Sequence, residues 1–192
     1  MSDIFPTLAL TGLELEKTCC FTGHRSAKLP GEGNRKNPGM KRLESTLELA
    51  IYDLVNNSGV KYFVSGMANG IDIICAEAVV RLKSSSLPDI ELVCAIPYLG
   101  QIDEMKTPQE KYLYSLLESS SFISVVLADN YYKDCYKERN KFMVDNSAHL
   151  LAVYKPSVKG SGTLQTINYA TACGLDIKII DLDKSPQFYS DQ

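Results

Sequence analysis

The strongest constraint on this chain is a repeated alternation. Short, near-continuous apolar runs are each followed by a glycine-rich or polar turn and then by a stretch of helical period. The runs are Thr18–Phe21, Val60–Val64, Ile90–Ile96, Phe122–Leu127, His149–Tyr154 and Asp176–Ile180. Strands of this kind are buried on both faces, which requires a parallel sheet covered by helices. Between them, Lys41–Asn57 places Leu43, Leu47, Ile51 and Leu54 or Val55 on one helical face. Gly70–Leu82 is apolar almost all round and reads as a buried helix. Pro108–Ser119, Tyr132–Ser147 and Thr163–Cys173 complete the helices, the last closed by Gly174.

Six such steps predict an α/β fold. The expected architecture is a doubly wound, mostly parallel Rossmann-like sheet of about six strands with helices on both faces. The length of 192 residues suits one domain. We expect that domain over 17–183, with an N-terminal tail at 1–16 and a C-terminal tail at 184–192. Ser26–Gly39 reads as the one long loop between elements, a length more often functional or mobile than inert.

Charge narrows the partners. Twenty Lys and Arg against 23 Asp and Glu leave a net charge of −3. A dedicated duplex binder usually carries a basic excess, so nucleic acid is disfavoured. No apolar run approaches the ~18 residues of a membrane span. Met1–Lys17 lacks a basic n-region and its apolar stretch is broken by Pro6 and Thr7, so a cytoplasmic location is expected. The six cysteines show neither CxxC nor any zinc-ligand spacing, and no metal site is expected. They read as small buried hydrophobes, with Cys135 and Cys173 as the candidates for a reactive thiol.

In an open parallel sheet a ligand lies outside the carboxyl ends of the strands. The residues there are Thr22-Gly23-His24-Arg25 after the first strand and Ser65-Gly66-Met67-Ala68-Asn69-Gly70-Ile71-Asp72 after the second. Gly160-Ser161-Gly162-Thr163 follows the fifth. Glycines let backbone N–H groups approach an anion, and a helix N-terminus adds a favourable dipole. Three such loops at one sheet edge point to a phosphate-bearing small ligand. No GxGxxG, P-loop or nucleophile elbow is present.

Two acids interrupt the apolar helix. Asp72, in its first turn, suits either the helix dipole or a ligand. Glu77 lies among Ile73, Ile74, Cys75, Ala76 and Ala78, so it is expected to be mostly buried and hydrogen-bonded, with Arg25 or a neighbouring loop group. Tyr136, Arg139, Asn140 and Met143 share one helical face. An inward Arg139 must find an anion, either Asp72, Asp129 or a ligand phosphate, and its strand-end position favours the ligand. His24 divides between structure and site; His149, at the start of a strand, reads as structural.

At these residues the chain resembles a known superfamily. Thr22-Gly23-His24-Arg25, then the Ser65–Asp72 segment with Ala76-Glu77, is similar to SLOG proteins. Tyr136…Arg139-Asn140…Met143-Val144-Asp145, the strand ending Ala152-Val153-Tyr154 and the later Gly-Thr pair narrow the resemblance to the YpsA-like branch, over about residues 17–181. The resemblance implies a Rossmann-like fold and a nucleotide-derived ligand. Relatives include DprA, the LOG phosphoribohydrolases and TIR-linked sensors. By motif it places Gly66, Gly70 and 160–163 against phosphate or ribose. Where the family usually has Gly-Gly-Thr, this chain has Gly160-Ser161-Gly162-Thr163. The catalytic Arg and Glu motifs of LOG enzymes are absent, so hydrolase activity does not carry over.

Three functions follow, in order. The first is a cytoplasmic module that binds or senses a nucleotide or nucleotide-sugar ligand. It uses Thr22, Gly23, His24, Arg25, Gly66, Met67, Asn69, Gly70, Asp72, Glu77, Arg139, Asn140, Gly160, Gly162 and Thr163. The second is an enzyme cleaving an N-glycosidic bond, with Glu77 or Asp72 supporting an oxocarbenium-like state. The third is single-strand DNA binding, against which the charge argues. The expected partner is the small ligand, with no membrane and with a homodimer left open.

Overall fold

The computed structural model describes residues 12–158 and 161–184. Most of the two expected tails, and Gly160 among the candidate site residues, lie outside the described residues. The strands are β1 (Thr18–Gly23), β2 (Tyr62–Ser65), β3 (Glu91–Ile96), β4 (Ile123–Val126), β5 (His149–Tyr154) and β6 (Asp176–Asp181). The helices are α1 (Pro38–Ser58), α2 (Ile71–Lys83), α3 (Pro108–Ser119), α4 (Cys135–Asp145) and α5 (Gly162–Ala172).

All neighbouring strands pair in parallel, in the order β4-β3-β2-β1-β5-β6. The chain adds strands to one side of β1 as far as β4, then returns across the sheet to place β5 on the other side. Helices cover both faces. On one face Phe21, Phe63, Leu92, Leu151 and Val153 pack with Leu43, Leu47 and Ile51 of α1, most of α2, and Tyr114 and Leu117 of α3. On the other, Cys20, Val64, Val93, Leu150 and Ala152 pack with Met143 and Val144 of α4 and Ile167 and Ala170 of α5. Successive strand residues alternate between these two cores, which is why the central runs carry no polar face. The expected fold class is the observed one.

Local chemistry sets the helix ends. Asn37 accepts from the Gly39 N–H ahead of Pro38, and Gly59, in the left-handed region, ends α1. Thr107 and Glu110 form a capping box at the start of α3. Ser161 caps α5 by accepting from the Leu164 N–H.

Some boundaries differ from the sequence reading. The loop expected over Ser26–Gly39 contains two 3-10 turns, Ser26–Lys28 and Pro30–Gly33, and α1 starts at Pro38 rather than Lys41. Pro38-Gly39 resembles a loop in sequence, yet proline at the first helical position loses no hydrogen bond. The helix expected over Tyr132–Ser147 is shorter at both ends. Among the described residues no helix is long and apolar enough to cross a membrane.

Candidate functional site

The strand order reverses between β1 and β5, which opens a crevice outside their carboxyl ends, the position at which open parallel sheets generally hold ligands. Its first wall is built from the end of β1. Thr22 and His24 are buried and Arg25 is exposed. The His24 ring reaches β5: its Nε2 accepts from the Lys155 N–H at 3.0 Å, and it stacks on Tyr154 at 5.8 Å. Burial, followed by the charges of Lys155 and Lys28, lowers the His24 pKa and keeps the ring neutral, the form in which Nε2 can accept. A hollow of about 380 Å³ opens here, with Lys28, Leu29 and Glu32 on one side and Lys155 and Ser157 on the other.

The second wall is the loop from β2 to α2. Ser65 Oγ accepts from the Met67 N–H and donates to the Asp72 carbonyl, which folds the loop back on itself. Met67 is fully buried at a left-handed φ of 56°, a conformation costly for a long side chain and held by its surroundings. Gly70 has φ 104°, and a Cβ there would lie 2.7 Å from Arg25 Cα and 2.8 Å from the Ser26 N. Only glycine lets the two loops meet backbone to backbone. Gly23 plays a similar part against Ile71, whose N–H donates to the His24 carbonyl. Asn69 joins Ser26, which donates to its Oδ1 at 2.5 Å, and Glu110, to which its Nδ2 donates.

Arg139 comes in from α4 and is 3% exposed. It donates to the Gly66 and Ala95 carbonyls and to Asn140 Oδ1, and it lies 3.7 Å from the Asp72 carboxylate. Burial pushes the Asp72 pKa up and that of Arg139 down, each partly offset by the other's charge. Of the anions considered from sequence, Asp72 is therefore a partner within the fold, and Gly66 is pressed against the guanidinium. Asn140 donates to Thr166 of α5, tying the two helices together. Thr163 is buried in the first turn of α5, while Gly162 is exposed, with open space where a Cβ would stand.

Glu77 is partly buried and paired. Its side chain is 34% exposed, and of the two expected kinds of partner it takes the loop group, Arg35 at 2.7 Å, rather than Arg25. Arg35 also bridges to Glu44 of α1. The apolar neighbours of Glu77 face the core while Glu77 faces the loop that carries Arg35, 42 positions away in sequence. Five of the six cysteines are buried, Cys135 included, and all six are free thiols; Cys173 is exposed.

A group near the site was missed from sequence. Tyr98 follows β3, Tyr131 follows β4, and Tyr136 belongs to α4. Their rings cluster at 5.5–6.4 Å, and the Arg25 guanidinium lies 5.4 Å over Tyr136. Their separation in the chain follows no helix or strand period; only the excess of tyrosine over other aromatics after these strands hinted at them.

The YspA SLOG family model matches residues 19–185. UPF0398 protein BH1768 of Halalkalibacterium halodurans is 25% identical over 146 residues, covering 76% of each chain. UPF0398 protein BBR47_29830 of Brevibacillus brevis is 26% identical over 147 residues, again 76% of each. The uncharacterized SPbeta prophage-derived protein YoqJ of Bacillus subtilis is 31% identical over 147 residues, covering 70% of this chain and 84% of its own. With a family model spanning the whole sheet from β1 to β6, the chain belongs to the YspA SLOG family.

Proposed function

We propose that this protein binds a small, anionic, nucleotide-derived ligand at the carboxyl edge of its sheet, in the crevice between β1 and β5. The observation that carries this reading is the hollow of about 380 Å³ at the strand-order reversal, with Lys28 on one wall and Lys155 on the other. Open parallel sheets bind ligands at this position, and two lysines across a cleft attract phosphate. Their field already acts on His24, whose protonation they oppose. Gly162, in the first turn of α5, is exposed with open space where a Cβ would stand, so a phosphate can approach this helix N-terminus closely. The resemblance to SLOG proteins supports a nucleotide as the source of that phosphate. Six free cysteines suit a reducing compartment, so we place this binding module in the cytoplasm.

Cleavage of an N-glycosidic bond would need a carboxylate turned toward the sugar. Asp72 is engaged with Arg139 and Glu77 with Arg35, so the geometry favours binding. Native mass spectrometry of the purified protein tests the ligand class directly: a co-purified nucleotide or nucleotide sugar is the expected result. In calorimetric titrations with such ligands, Lys28→Ala combined with Lys155→Ala should weaken binding about ten-fold or more and reduce its salt dependence. Gly162→Val should also weaken it, because a branched side chain blocks backbone approach. Affinity unchanged in both variants would refute the site.

A further inference from the structure

We propose that Tyr98, Tyr131 and Tyr136, together with Glu104 and Arg25, form the subsite for the heterocyclic base of the ligand, an assignment that rests on the function proposed above. The three rings come from three separate segments at the same sheet edge and meet at 5.5 Å, 6.3 Å and 6.4 Å. The cluster is not sealed. Here Tyr98 is buried, but Tyr131 is 61% exposed, so an aromatic surface fixed by two ring contacts stands open to solvent. Such a surface stacks a planar heterocycle with little loss of side-chain freedom.

Glu104 supplies the polar complement. The Tyr98 and Tyr136 hydroxyls both donate to its Oε1, the former at 2.5 Å. Burial and the Glu104 charge raise both phenol pKa values, so both remain donors. Two donors on one oxygen fix the carboxylate. Among the described residues, no hydrogen bond goes to its Oε2. An oriented acceptor beside an open aromatic face matches a ring that carries an N–H donor, as nucleobases do. Arg25 links this subsite to the crevice. Its guanidinium covers Tyr136, and the preceding residue, His24, receives the hydrogen bond from Lys155.

The chain contains no tryptophan. Tyr131→Trp therefore introduces a single indole at the proposed stacking surface. Its fluorescence should be quenched saturably by AMP, GMP, UMP or CMP, and not by ribose 5-phosphate or inorganic phosphate at the same concentration. In calorimetry, Tyr131→Ala should weaken nucleotide binding about ten-fold or more while leaving ribose 5-phosphate binding unchanged. Tyr131 is mostly exposed, so this variant should melt with the wild type. Glu104→Gln should change the ranking of the four bases. Equal nucleotide affinity in wild type and Tyr131→Ala would overturn the base subsite and leave the lysine-lined crevice standing. An unchanged ranking in Glu104→Gln would remove the carboxylate from the assignment. No binding of any nucleotide or of ribose 5-phosphate to the wild type would overturn the subsite and the proposed function together.

Discussion

Replacing Arg139 by alanine should destabilise the fold itself, whatever it does to ligand binding. The guanidinium is 3% exposed and serves the Gly66 and Ala95 carbonyls, Asn140 and the Asp72 carboxylate. Its removal leaves a buried carboxylate without its cation. Breaking a buried pair in this way costs about 3–5 kcal/mol. The lower end applies here, because the 3.7 Å separation is long and burial already favours the neutral form of Asp72. For a chain of this size about 3 kcal/mol lowers the melting temperature by roughly 6–12 °C. Thermal and urea denaturation measure the loss. Adding Asp72→Asn should recover part of it, since the double variant no longer buries an unpaired charge. A melting temperature within about 2 °C of wild type would refute the account and return Arg139 to the role of a ligand contact.

Three further outcomes are expected. The His24 pKa is lowered in the folded state, so the unfolded chain takes up the proton first as pH falls. Stability should be full above about pH 6.5 and decline below it, and His24→Gln should flatten that part of a urea-midpoint-against-pH profile. Gly70→Ala should cost more than about 1 kcal/mol in denaturant titration, because the residue sits at φ 104° against the Arg25 backbone; a neutral effect would mean that the two loops can separate freely. In the native protein Ellman's reagent should titrate one thiol rapidly, Cys173, and six after denaturation. Burial supports that count by pushing the Cys20 and Cys94 pKa values up to about 12, and rapid reaction of a second thiol would show the core to be open.

The fold was legible because the four inner strands have cores on both faces, and a residue sequence such as Leu150–Val153 leaves no other solution. The edges were less legible. Phe122–Leu127 reads as a buried strand, yet β4 is an edge strand with alternate residues exposed. Composition alone does not separate an edge strand from a central one. The glycine loops after β1 and β2 were found because φ and close approach select the residue type locally. The pairing of Glu77 was legible but not the identity of its partner, because Arg35 lies in a loop whose path depends on tertiary packing. The tyrosine cluster escaped for the same reason: strand order brings Tyr98, Tyr131 and Tyr136 together, and no local period encodes strand order.

The return of the chain from β4 to β5 carries a consequence for how the protein is made. β1 to β4 add in sequence, each strand pairing with its predecessor. The crevice, by contrast, is closed by the hydrogen bond from Lys155 to His24, 131 positions apart. That contact has the high contact order that slows folding, because a long loop must close before it is rewarded. A nascent chain that has emerged only as far as α4 holds one wall of the crevice and the whole tyrosine cluster, but lacks Lys155 and β5. On the function proposed above, ligand capture in the crevice waits on roughly the last fifth of synthesis, and a bound ligand would act as a clasp on the seam between β1 and β5.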